Sequence, residues 1–320
     1  MSANLLVSIS CVTFNQVKYI QACLDGFLMQ QGDFDLEILI HDDASTDGTR
    51  EIIEAYQKKY PAIIKPIYQQ ENQYSKGVRG FMARYNFTRA SGKYLALCEG
   101  DDYWTSEHKL QKQLTFLEAH PEYALCFHKV DVEGGDDYMV LPQEHETIID
   151  LAAKGNYIRT PSVMFRTAYA HMPESHADSP LGDLFVYLYV AQFGKLKYLN
   201  ESMAVYRKQV GSWSTQQQHT RIVNTIRSME VIHDALNNLP DVQQILKGRV
   251  FGFLKKVIGE LSTDDLARIQ YSNFWKHEVE QYLLNEVKHW RKQAIQHTQS
   301  KTLIQELLRR SKTKWWKSKF

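Results

Sequence analysis

Apolar and polar positions along this chain fall into blocks of two lengths. Short runs rich in Val, Ile, Leu and Cys, at Leu6–Val12, Leu36–Ile40 and Tyr94–Cys98, each stop abruptly at polar residues. The first ends in Thr13-Phe14-Asn15, the second in His41-Asp42-Asp43, the third in Glu99-Gly100-Asp101-Asp102. Longer stretches of helical character separate them: Tyr19–Gln31, and Arg50–Tyr56 preceded by the N-cap residues Ser45, Thr46 and Asp47. Short strands alternating with helices predict βαβ units, hence an α/β fold with a parallel sheet and right-handed crossovers. Ligands in such sheets bind beyond the carboxyl ends of the strands. The three polar clusters are therefore expected to form one site.

The pattern continues with a helix over Glu107–Ala119, whose Leu110, Leu114 and Leu117 share one face and read as core. Strand-like pieces follow at Ala124–Phe127 and Ser162–Phe165, with polar loops such as Glu133–Asp137 between. After Ser214 the spacing becomes helical, over Arg221–Leu239 up to Pro240 and then over Val242–Leu261. Neither an internal repeat nor a low-complexity linker interrupts the chain.

Composition narrows the class without naming it. Lys and Arg number 38 against 37 Asp and Glu in 320 residues, so no overall charge points to nucleic acid. The four cysteines, Cys11, Cys23, Cys98 and Cys126, lie on apolar segments without metal-ligand spacing and read as buried free thiols of a reducing compartment. The histidines show no zinc spacing. The N-terminus passes straight into the first strand, and no apolar run is long enough for a bilayer, so a cytoplasmic protein is expected. The end differs: Leu307–Phe320 interleaves basic and aromatic residues without an acid, the composition of an interfacial contact with an anionic membrane surface.

The chemistry centres on Glu99, Asp101 and Asp102. Carboxylates this close repel one another unless a cation sits among them, and Mg²⁺ or Mn²⁺ held by one or two of them is the usual solution. A lone acid, Asp183 in Gly182-Asp183-Leu184, stands ahead of a second apolar run and either caps a helix or serves as a base unencumbered by metal.

Thr13-Phe14-Asn15, Asp42-Asp43-x-Ser45-x-Asp47-x-Thr49 and Glu99-Gly-Asp-Asp-Tyr-Trp104 together resemble the successive motifs of the inverting, nucleotide-sugar-dependent GT-A glycosyltransferases of family 2. Order and spacing match through about residue 215. The resemblance implies a GT-A, Rossmann-like, mostly parallel sheet flanked by helices. It implies that Thr13, Asn15, Asp42, Asp43, Asp47, Asp101 and Arg207 serve the nucleotide, that Asp101 and Glu99 hold a divalent metal, and that Asp183 is the catalytic base.

The chain departs from the family pattern at Val12, where proline is usual, at Glu99, where aspartate is usual, and at Gln209, where many relatives carry a histidine ligand. Lys208 and Arg207 are candidates to offset phosphate charge. The expected organisation is a glycosyltransferase domain over residues 1–214, with nucleotide-sugar binding in 1–104 and acceptor binding in 105–214, then a helical extension over 215–320. The implied donor is a nucleoside-diphosphate sugar, a UDP-sugar foremost. The implied acceptor is a glycan or lipid-linked precursor, met on the cytoplasmic face of the inner membrane. Two other classes stay open: a nucleotidyltransferase, for which Val12–Asn15 lacks the glycine-rich phosphate loop, and an inactive nucleotide-sugar-binding module.

Overall fold

Four strands, β1 (Leu5–Thr13), β2 (Phe34–Asp42), β3 (Ile64–Tyr68) and β4 (Tyr94–Glu99), run parallel in the order β3-β2-β1-β4. The structure, a computed structural model, describes residues 5–135, 141–208 and 216–257, all within the unit Met1–Leu261. Val7, Ile9 and Cys11 of β1 face one way beside Ile38, Ile40, Ala96 and Cys98. Ser8 and Ser10, on the opposite face, are buried too, because helices and loops cover the sheet on both sides. The crossovers are α1 (Ile20–Leu28) and α2 (Thr49–Lys59), and α1 inserts Ile20, Cys23, Leu24 and Phe27 into the core. The four cysteines are free and buried, as expected from their apolar settings.

Beyond β4 the sheet becomes mixed. It continues through β8 (Met164–Arg166), β6 (Tyr123–Glu133), β9 (Lys195–Arg207) and β5 (Tyr103–Trp104), while β7 (His145–Glu146) pairs with β9. β6 and β9 are parallel; β8, β5 and β7 pair antiparallel. Helix α3 (Lys109–Ala119) buries Leu110, Leu114 and Leu117, as its spacing predicts. Ser162 lies in a single 3-10 turn ahead of β8, so the strand expected from Ser162 begins later. β9 escapes the sequence pattern, because bulges against β6 break its alternation.

Three helices close the far wall: α4 (Ile148–Lys154), α5 (Gly182–Ala191) and α6 (Gln218–Ala235), with α7 (Pro240–Val257) packed on α4 and α6. The first of the two expected helices stops before Pro240, at Ala235, and the second begins at Pro240 itself, with proline in the first turn, where its missing N–H costs nothing. Among the described residues no helix is long and apolar enough to cross a membrane. Gln209, the later part of the Val242–Leu261 stretch and the tail Leu307–Phe320 lie outside the described residues.

Candidate active site

Parallel pairing sets Thr13 beside Asp42 and Val12 beside Glu99, so the three polar clusters meet at one sheet edge. The chain leaves β1 and β2 through left-handed residues, Asn15 at φ 51° and Ala44 at φ 65°. These turns are laced together. Asn15 N–H donates to Ser45 Oγ at 2.9 Å and Thr46 N–H to Asn15 Oδ1 at 2.9 Å. Asp47 accepts from Val17 N–H at 3.0 Å and from the Thr49 hydroxyl at 2.6 Å.

The adjacent aspartates of β2 take different roles. Asp42 is buried and accepts from the Ser45 hydroxyl, which turns it away from the cleft. Asp43 lines the cleft and accepts from Gln73 N–H at 2.8 Å and Tyr74 N–H at 3.0 Å, fixing the β3–β4 connection. Asp42 and Asp47 thus shape the loops and do not line the cleft.

At the end of β4 the chain passes so close to β1 that a Cβ on Gly100 would lie 2.8 Å from Thr13 Oγ1. A larger residue would displace Thr13 or the acidic loop. Asp101 and Asp102 are 3% and 1% exposed, and Asp101 Oδ1 and Asp102 Oδ2 accept no hydrogen bond. Arg207 N–H donates to Asp102 Oδ1 at 2.7 Å. The guanidinium is spent on its neighbours, donating to Asp101 O at 2.8 Å and to Glu133 at 3.0 Å.

Burial pushes all three acids up. Glu99 rises to about 8, through burial and then the charges of Asp101 and Asp183. Asp102 rises well above the usual range through burial and its two acidic neighbours, whereas for Asp101 the rise from burial is tempered by Arg207 and Gln16. Buried carboxylates with orphaned oxygens fit a divalent cation. Among the described residues no group of three or more His, Cys, Asp or Glu is poised to hold an ion alone. A cation here would complete its shell with water and substrate phosphate.

Across the cleft, Asp183 occupies the first turn of α5. Leu184 N–H donates to Asp183 Oδ1 at 2.7 Å, and Asn156 Nδ2 donates to Asp183 Oδ2 at 2.7 Å. Burial raises its pKa, against the pull of these two donors and of Arg159. The cleft, of about 750 Å³, brings together Thr13, Asn15, Asp43, Glu99, Asp101, Asp183 and Arg207 of the expected site residues.

Sequence reasoning missed Asn156 and Arg159 on the Asp183 side of the cleft, and Tyr74, Arg79 and Phe81 on the other. Arg79 lies 3.8 Å over the Tyr74 ring, and His41 stacks against both Phe81 and Tyr85, at 5.1 Å and 4.2 Å. Burial lowers the His41 pKa to about 4, so the ring is neutral. A basic residue between aromatics at Tyr74–Phe81 was the available signal, and it reads equally well as an ordinary loop.

Residues 8–177, more than half of the chain, match the family described as Glycosyl transferase family 2. The chain belongs to glycosyltransferase family 2. An uncharacterised protein of Mycobacterium tuberculosis is 38% identical to this family 2 chain over 219 residues, 65% of this chain and 60% of that protein. The chain thus spans less than two thirds of the length of its mycobacterial relatives. The Escherichia coli UDP-Glc:alpha-D-GlcNAc-diphosphoundecaprenol beta-1,3-glucosyltransferase WfaP is 36% identical over 114 residues, 35% of this chain and 41% of that protein. The crystal structure of S. aureus TarS 1-349 in complex with UDP-GlcNAc superposes with a TM-score of 0.62 at 18% identity, covering 83% of this chain and 78% of that one. The fold is GT-A.

Proposed function

We propose that this family 2 protein is a metal-dependent, inverting glycosyltransferase that moves a sugar from a nucleoside-diphosphate sugar to a hydroxyl of a cell-surface glycan or lipid-linked precursor. One observation carries the reading: a single cleft holds Thr13, Asn15, Asp43, Glu99 and Asp101 at the strand ends and Asp183 on the opposing helix. TarS binding UDP-GlcNAc on the same fold supports a nucleotide-sugar donor, a UDP-sugar foremost. The diphosphoundecaprenol acceptor named for WfaP supports a lipid-linked or surface glycan acceptor.

In this reading Thr13, Asn15 and Asp43 receive the nucleotide, while Asp42 and Asp47 hold the loops that present them. Asp101, with Glu99 beside it, would hold Mn²⁺ or Mg²⁺. When bound, such an ion supplies Lewis-acid stabilisation of the departing diphosphate. Arg207 fixes the acidic loop through the Asp101 carbonyl and the Asp102 carboxylate. The Asp183 carboxylate takes the acceptor hydroxyl proton as that oxygen attacks the anomeric carbon from the face opposite the diphosphate, and one displacement inverts the configuration. Asn156 and Leu184 N–H orient the carboxylate for that transfer. Residues 1–104 serve the donor, 105–214 the acceptor and base, and 215–320 are an extension to that domain; the tail Leu307–Phe320 meets anionic lipid on the cytoplasmic face.

A panel of nucleotide sugars, scored with and without Mn²⁺ or Mg²⁺, tests the reading. Metal-dependent release of nucleoside diphosphate is the expected result. Pyrophosphate release would mean nucleotidyl transfer, and binding without turnover would mean a non-catalytic module.

A further inference from the structure

The wall beyond Asp183 carries a cation that the reaction above does not use. Arg249, on α7, lines the cleft. Its Nη1 donates to Ala152 O of α4 at 3.0 Å. The guanidinium packs against Gly155, where a Cβ would lie 2.3 Å from Nη2, and the φ of +94° there also favours glycine. The next residue, Asn156, is the one that donates to Asp183 at 2.7 Å. One short segment after α4 therefore positions both the guanidinium and the proposed base.

This cation is half-buried and unopposed. Among the described residues no carboxylate pairs with Arg249, and burial alone acts on its pKa, downwards. Withdrawing a guanidinium from water without a counter-charge is costly, and Arg presents a planar fork that matches carboxylate and phosphoryl oxygens two at a time. Apart from Asp183, the proposed base, the surrounding wall supplies no carboxylate. Gln216, Thr225 and Met229 are uncharged, His176 is held neutral by burial with a pKa of about 4, and Arg159 adds a second positive charge. The strand-end half is the reverse, with Asp43, Glu99 and Asp101 in its lining. Charge thus divides along the cleft, three acids where a metal-bound diphosphate would lie, and two arginines against the single carboxylate of Asp183 where the acceptor would enter.

We propose that Arg249 forms an anion subsite on the acceptor side of the cleft, selecting acceptors that carry a phosphoryl or carboxylate group near the attacked hydroxyl. The inference rests on the glycosyltransferase reading for the word acceptor, though not for the anion. A phosphoryl group would come from a lipid-linked sugar phosphate, a carboxylate from an acidic glycan.

The test is equilibrium binding, by ligand-detected NMR on the full-length protein saturated with UDP and Mg²⁺, of matched sugar probes. Methyl hexosides are compared with the 1-phosphates of the same hexoses and with the methyl glycosides of the corresponding hexuronic acids. Wild type should hold a charged probe on the order of ten- to a hundredfold more tightly than its neutral partner. The stronger arm identifies the source, the 1-phosphate for a lipid-linked acceptor and the uronate for an acidic glycan. Arg249→Met should bring the charged and neutral probes to parity, while Arg249→Lys should retain a smaller preference. Gly155→Ala, whose methyl group collides with the guanidinium, should lessen the preference without removing the charge.

Three results would overturn the subsite: no charge preference in wild type, an unchanged preference in Arg249→Met, or loss of UDP affinity in that variant alongside the charged probe. The last would put Arg249 on the donor diphosphate. Nucleoside diphosphate release by wild type is scored separately. Its absence with the charge preference intact would remove the glycosyltransferase reading and leave the anion subsite standing.

Discussion

The same sheet carries buried carboxylates at both ends of its parallel strands, and they differ in every respect that matters. Near the start of β2, Glu37 is 2% exposed and fully engaged. It accepts from the Ser8 hydroxyl at 2.5 Å, from Ser91 N–H at 2.7 Å and from Lys65 Nζ at 2.6 Å. Burial pushes its pKa up, but these donors outweigh it and hold the carboxyl down at about 2. At the opposite end, Glu99, Asp101 and Asp102 crowd their charges together and are all pushed up, and Asp101 Oδ1 and Asp102 Oδ2 are left without a partner. A carboxylate that stabilises a fold is one whose lone pairs are met within the fold. A cluster whose lone pairs are left unmet, where ligands bind in this sheet class, is built for something that arrives later.

Asp101→Asn probes the unsatisfied end and should have the largest effect. Metal-dependent release of nucleoside diphosphate should fall on the order of a thousandfold or more, because one proposed metal ligand and one charge leave the site. The metal-free melting temperature should not fall, since the substitution removes like-charge repulsion. Full metal-dependent turnover in that variant would break the contrast.

Asp183→Asn keeps the shape and removes the proposed proton acceptor, and transfer should drop by about 10²- to 10⁴-fold with donor affinity little changed. Because burial raises the Asp183 pKa, the carboxylate ionises only above that raised value. Wild-type transfer should therefore decline, as the pH falls, at a pH above the ordinary aspartate range near about 4. The Asn variant should lack that acid limb.

The satisfied end predicts a stability effect instead. Glu37→Gln should cost on the order of 3 kcal/mol in urea unfolding, because the variant loses the charge that Lys65, Ser8 and Ser91 hold ionised in the folded state. The folded pKa lies below the unfolded one, so this contribution is present above the unfolded value near 4.5 and is lost as the pH falls towards about 2. The wild-type urea midpoint should fall across that window more steeply than the variant's. An equal slope would show that Glu37 is not the group responsible.

Asn156→Ala should have the smallest effect, on the order of a tenfold loss of transfer. Losing one donor should raise the Asp183 pKa further and move the acid limb to higher pH. A lower rate with an unmoved limb would make Asn156 a packing residue only.

The amino-acid sequence by itself was enough for the order of β1, β2 and β4, the helices between them, the core face of α3 and the acidic cluster at the end of β4. Alternation, helical spacing and local charge are properties of neighbouring residues, and they survive without knowledge of the rest of the chain. Tertiary structure alone decided which of two adjacent aspartates faces the cleft. Asp42 turns to Ser45 and Asp43 to Tyr74 because of left-handed turns at Asn15 and Ala44 and hydrogen bonds that join residues about thirty positions apart. It likewise decided that Asn156 meets Asp183 and that Arg249, contributed by the last described helix, stands against Gly155. Such pairings are set by how separate elements pack, and a side chain carries no local mark of the distant partner it will meet.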